Sequence, residues 1–196
     1  MVRWVLLRKG ADFEAIGKKY QISPRLACLI RNRDVIGEEA IERYLNGTIS
    51  DLYDGMLMKD ADKAIDILKE KIAEEKKIRV IGDYDIDGVN ATYILMEGLE
   101  RLGAYVDSDI PDRIGDGYGL NRQLIDRAYD AGIDKIITCD NGIAAANEIA
   151  YGKELGMTII VTDHHEIPFD EIDGEKIYRL PPADAVIDPK QKDCVY

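Results

Sequence analysis

The sequence predicts an α/β protein: a mostly parallel five-stranded sheet flanked by helices, preceded by a small helical N-terminal region. Three observations predict it. Short β-rich runs recur from residue 78 onward: "IRVIG", "AYVDSDI", "KIITC", "MTIIV" and "ADAVI". The segments between them are long enough for crossover helices, the pattern of a parallel sheet covered on both faces. Each run is followed by an acidic residue or by "PDR", at the rim where ligands bind in such folds.

Residues 1–58 read as the helical region and 59–196 as the α/β domain. "SPRLACLIRNR" opens with Ser23 as a cap and Pro24 at the first helical position. "IGEEAIERYLNG" places Ile41, Tyr44 and Leu45 at helical spacing, with Gly47 as a stop. "KDADKAIDILKEKIAEEKK", 59–77, predicts an amphipathic helix with Ala61, Ala64, Ile65, Leu68 and Ile72 on one face. "GVNATYILMEGLE" reads as another helix, with Asp87 as its N-cap.

Composition narrows the class. At 46% hydrophobic and 33% charged residues, the chain is globular in type. It has no apolar run long enough to cross a bilayer, so no membrane partner is expected. Cys28, Cys139 and Cys194 are odd in number and lack CxxC spacing, as expected of a reduced, cytoplasmic protein. The net charge of −12 argues against a surface that coats nucleic acid. It leaves open a phosphate-handling site in which clustered acids hold cations.

The strand ends carry the chemistry. After an extended strand, Asp83 and Asp85 face one side while Tyr84 turns the other way. Carboxylates paired so closely suit a hard divalent cation, Mg²⁺ or Mn²⁺. Asp140 in "TCDNG" stands at another strand end, with Asn141 and Gly142 making the turn, and a carboxylate there can bridge two metals. His164 and His165, the only histidines, lie side by side in "TDHH". Imidazole ligation favours Mn²⁺ over Mg²⁺. "IPDRIGDGYGLN" adds Arg113, suited to bidentate phosphate contact, and a run of glycines that permit close backbone approach. No P-loop and no Gly-x-Ser-x-Gly elbow is present.

Taken in order, "GDYDIDG", "IPDRIGDGYGLN", "DNG" and "DHH" resemble the DHH phosphoesterase superfamily. The first two, with "ADAVIDPKQKDC", resemble its RecJ-type branch of single-strand-specific exonucleases. The resemblance implies a DHH-type domain over 59–196 with two divalent cations, Mn²⁺ or Mg²⁺. Asp83 would bind one, Asp85 and His164 the second, and Asp140 would bridge them. His165 would meet the scissile phosphate, Asp163 would orient a histidine, and Arg113, Gly117, Tyr118 and Gly119 would contact substrate. It also implies 5′-to-3′ digestion of single-stranded DNA in repair and recombination, with repair proteins as partners.

In the superfamily a further aspartate ligand and a nucleic-acid-binding domain lie beyond the stretch matched here, and Asp188 falls too early to be that ligand. Where some relatives carry a histidine before the first aspartate, this chain has Ile81 and Gly82. The expectation is the front part of a longer enzyme, missing its C-terminal domain, that binds metal but handles DNA weakly alone. Three other readings stay open. One is a DHH enzyme acting on oligonucleotides or cyclic dinucleotides. Another is a haloacid-dehalogenase-type phosphatase, since "VIGDYDIDG" also resembles its Asp-x-Asp strand end. The last is a catalytically weak scaffold.

Overall fold

The computed structural model describes residues 3–5, 9–115, 117 and 119–196. The chain forms two compact units, residues 1–53 and 54–196. Among the described residues, the first holds the short α-helices α1 (Phe13–Tyr20), α2 (Pro24–Asn32) and α3 (Glu38–Asn46). Asp12 caps α1 by accepting from the Ala15 amide, and Ser23 caps α2 by accepting from Leu26, as "SPRLACL" predicts. Ala27, Ile30 and Ile41 are its buried apolar residues.

The second unit begins with α4 (Ala61–Ala73) and β1 (Ile78–Ile81). It continues through α5 (Ile86–Arg101), β2 (Val106–Asp109), α6 (Arg122–Asp130), β3 (Lys135–Cys139), α7 (Ala146–Glu154) and β4 (Thr158–Thr162). A hairpin of β5 (Phe169–Ile172) and β6 (Glu175–Tyr178) precedes β7 (Ala185–Ile187). The five long-range strands pair in the order β2-β1-β3-β4-β7, all parallel. All five predicted β-rich runs are strands of this sheet.

Alternation along the strands fills both faces. Ile81, Ile136, Ile159, Val161 and Val186 pack with Leu124, Ile125 and Ala128 of α6 and Ile149 of α7. Val80, Ile137, Ile160 and Ala185 point the other way, onto Ala64 of α4 and Leu99 of α5. Each fully buried branched side chain contributes about 1.5–3 kcal/mol, which makes the sheet a stiff platform for the loops at its rim.

Two expectations change. The helix predicted over 59–77 is α4, which ends at Ala73 because Glu75 takes a left-handed φ of 54°. Its core stripe uses Ile67 in place of Ile65. Ile65 lines a surface groove with Leu68, Ile72 and Leu102. The hairpin was not expected, because both its strands are exposed throughout and show no buried face. Its turn did leave a trace: Asp173 and Gly174, at φ 54° and 82°, are the Asp-Gly pair that a tight hairpin turn favours.

Candidate metal centre

From β1 the chain runs outward to β2, then crosses back to β3 on the other side of β1. The crevice beyond β1 and β3 is therefore the topological switch point, where open α/β sheets bind ligands. Asp140 follows β3, Asp163 follows β4 and Asp188 follows β7 without a gap, while Asp83 lies two residues past β1.

Asp83 is fully buried. Glycines on either side let α5 close over it. A Cβ on Gly88 would stand 2.5 Å from the Asp83 carbonyl oxygen, and one on Gly82 would stand 1.9 Å from Thr92 Oγ1. Neither Asp83 Oδ1 nor Oδ2 has a hydrogen-bond partner among the described residues. A buried group left unpaired costs about 1–3 kcal/mol, more when charged.

Asp85, not Asp87, caps α5: its Oδ1 accepts from the amides of Asp87 (2.9 Å) and Gly88 (3.0 Å). The sequence pattern misled because the helix begins two residues earlier than the run "GVNATYILMEGLE". These amides, Gly88 first, hold the Asp85 carboxyl below its usual range. Asp83 and Asp85 thus converge through a loop and a helix cap, not along an extended strand.

Asp140 sits in left-handed backbone at φ 60°, unusual for a residue with a Cβ and costing about 1–3 kcal/mol. Its surroundings impose it. The Asp140 amide donates to the Thr162 carbonyl at 3.1 Å, Thr138 Oγ1 donates to the Asn141 carbonyl at 2.8 Å, and Gly142 completes the turn at φ 111°. Burial pushes the Asp140 carboxyl up; the His164 hydrogen bond opposes this and the Asp85 charge adds to it.

The two histidines diverge. His164 Nε2 lies 2.8 Å from Asp140 Oδ1. His165 instead turns Nδ1 to Asp163 Oδ1 at 2.7 Å. That carboxylate also accepts the His164 amide on Oδ1 and the Ile143 amide on Oδ2, which fixes its plane. The hydrogen bond to Asp163 raises the His165 pKa. It also fixes the ring, with Nδ1 on Asp163 and Nε2 on the opposite edge.

Donor atoms of Asp83, Asp85 and Asp140 all lie within 4.8 Å of one another, as do those of Asp140, His164 and His165. Asp140 belongs to both groups. Three convergent carboxylates, one of them buried and unpaired, with imidazole on the adjoining side, are the donors a divalent cation pair takes. The residues present fit such a group. A cavity of about 540 Å³ opens beside them, with Asp140 and His164 meeting the apolar side chains of Met58, Ile94 and Leu95.

The remaining predicted residues vary. Arg113 is exposed and stacks over Tyr84, guanidinium carbon 5.3 Å from the ring centroid. Gly117 and Gly119 both take positive φ, and a Cβ on Gly119 would touch the Asn141 side chain at 3.6 Å. Tyr118 lies outside the described residues. Asp188 is fully buried, with Oδ1 accepting from the Lys190 amide and burial raising its pKa. It joins neither donor group.

The DHH family, N-terminal domain, matches residues 77–195. The chain belongs to the DHH family. It is 38% identical over 196 residues to the single-stranded-DNA-specific exonuclease RecJ of Bacillus subtilis and 32% identical over 195 residues to that of Escherichia coli. It covers 24% and 32% of those proteins, so it spans about a quarter to a third of such relatives. Among solved structures, it matches exonuclease RecJ bound to manganese at 33% identity and a TM-score of 0.62, over 74% of this chain and 35% of that one. RecJ of Thermus thermophilus in complex with Mn²⁺ matches at 27% identity and a TM-score of 0.64, over 99% of this chain and 26% of that one.

Proposed function

We propose that this DHH domain is the metal-binding portion of a RecJ-type exonuclease that hydrolyses single-stranded DNA from the 5′ end with two divalent cations, Mn²⁺ or Mg²⁺. The observation that carries the reading is Asp140, shared between an all-carboxylate group and an imidazole-bearing group, beside the unpaired buried carboxylate of Asp83.

When bound, the cations supply Lewis acidity at the phosphate and lower the pKa of an attacking water. The chain's own groups do the rest. Asp83, Asp85, Asp140 and His164 would hold the pair. Asp163 locks the His165 ring and favours its protonated form, so that the Nε2–H meets the scissile phosphate and stabilises charge that builds there. Arg113, braced on Tyr84, gathers a substrate phosphate in its planar fork. The apolar wall of the cavity excludes water on one side. With a net charge of −12, the chain supplies few phosphate contacts of its own. Tight DNA binding therefore belongs to other parts of a longer enzyme, and repair proteins are fitting partners.

The test is manganese-dependent release of mononucleotides from a 5′-labelled single strand, run beside a duplex, a dinucleotide and a cyclic dinucleotide. Preference for the single strand, however slow, supports the reading. Turnover confined to the dinucleotide or the cyclic substrate would replace it with a small-substrate DHH phosphodiesterase. No turnover with intact metal uptake would leave a scaffold.

A further inference from the structure

We propose that Asn141 is a positioning residue of the metal centre: its side-chain amide ties the end of β1 to the end of β3 and thereby sets the separation of Asp83 from Asp140. The inference rests on the metal reading above and deepens it.

The β1–β3 ladder runs out just before the site. Its last registered pair is Ile81 with Thr138, and Cys139 is paired only with Thr162 of β4. Past that point β1 leads to α5 on one face of the sheet and β3 to α7 on the other, so the β1–β3 ladder stops short of both Asp83 and Asp140. Asn141 supplies the missing tie. Its Nδ2 donates to the Ile81 carbonyl at 3.2 Å and to the Cys139 carbonyl at 3.0 Å. Ile81 lies two residues before Asp83, and Cys139 lies one residue before Asp140.

The amide is 2% exposed, and its Oδ1 has no partner among the described residues. Both hydrogens therefore serve carbonyls while the acceptor goes unpaired. That orientation is what a crosslink between two strand ends requires, since a flipped amide would set oxygen against oxygen. The tie also reaches the strained residue. Asn141 follows Asp140 directly, and its own carbonyl is held by Thr138 Oγ1. The same turn that forces Asp140 into left-handed backbone is thereby anchored to β1. In the sequence, "DNG" reads as an ordinary turn; only the fold shows that the asparagine spans two strands.

The test uses the 196-residue chain as wild type, Asn141→Ala and Asn141→Asp. The aspartate variant keeps the volume and loses both donors, so it decides the matter if the alanine variant does not fold. Manganese uptake is followed by calorimetry, and spin coupling between paired Mn²⁺ ions by electron paramagnetic resonance. Exchange of the Asp140 amide is read in metal-free protein. Both folded variants are expected to bind Mn²⁺ about 10- to 100-fold more weakly, to lose the coupled signal and to exchange the Asp140 amide at least ~10-fold faster. A purely structural asparagine would lower thermal stability and leave the coupled signal intact.

Wild-type affinity and coupling in the variants would overturn the tie, as would unchanged Asp140 exchange. A wild-type chain that takes up no manganese would instead overturn the metal reading on which the tie depends.

Discussion

The imidazole Nε2 of His164 stands 2.8 Å from Oδ1 of Asp140, joining the rims of β3 and β4. This contact holds the carboxylate that both donor groups share. The opposite side of the crevice has no such relief, because the Asp83 carboxylate is buried and has no hydrogen-bond partner among the described residues.

That asymmetry predicts a trade between stability and binding. Asp83→Asn should stabilise the metal-free chain, because a neutral amide costs less to bury without a partner than a carboxylate does. A domain of this size should then melt about 2–4 °C higher per kcal/mol. The same variant should lose the stabilisation that Mn²⁺ gives the wild type. Thermal melts with chelator and with Mn²⁺ check both halves; a variant less stable without metal would contradict the account.

The His165–Asp163 pair predicts a pH dependence. A pKa raised on folding gives stability that is fully present below the unfolded value, about 6.5. That stability is lost as pH rises through the higher folded value. Urea midpoints in chelator should therefore separate wild type from His165→Gln most clearly near pH 5. The gap should narrow as pH rises through the raised folded value. A gap that widens with pH would reverse the assignment.

Close approach of α5 predicts a packing defect. Gly88→Ala places a methyl 2.5 Å from the Asp83 carbonyl oxygen, where backbone must move. The expected cost is about 1–3 kcal/mol. Manganese affinity should fall with it, because Asp83 and the Asp85 cap shift together. A denaturation curve paired with a metal titration measures both.

Much of this site was legible in the sequence, for a physical reason. Aspartates that end β-rich runs must share one rim of a parallel sheet, so Asp83, Asp140 and Asp163 were placed by pattern alone. What escaped was set by backbone detail. The capping role of Asp85 depends on where α5 begins, which Asp87 obscured by standing nearer the apolar run. The reach of Asn141 to Ile81 joins residues 60 apart, and no local signal reports it. The exposed hairpin has no buried face and so no clear period to read, beyond its Asp-Gly turn.

Arg113 and His165 should separate in kinetics. Arg113→Lys keeps the charge but loses the planar fork, and should raise KM about 10-fold with manganese affinity unchanged. His165→Gln should lower kcat on the order of 10²- to 10³-fold, since it meets the phosphate as charge builds. Single-strand hydrolysis at saturating Mn²⁺ distinguishes the two; loss of metal binding in either variant would move that residue into the ligand set.

The most direct test of the shared-carboxylate centre is anomalous diffraction from crystals of the chain soaked in Mn²⁺. Two peaks are expected flanking Asp140, one against Asp83 and the other against Asp85 and His164. In Asp140→Ala both should fade. A single peak away from Asp140, or two peaks that persist in the alanine variant, would contradict it.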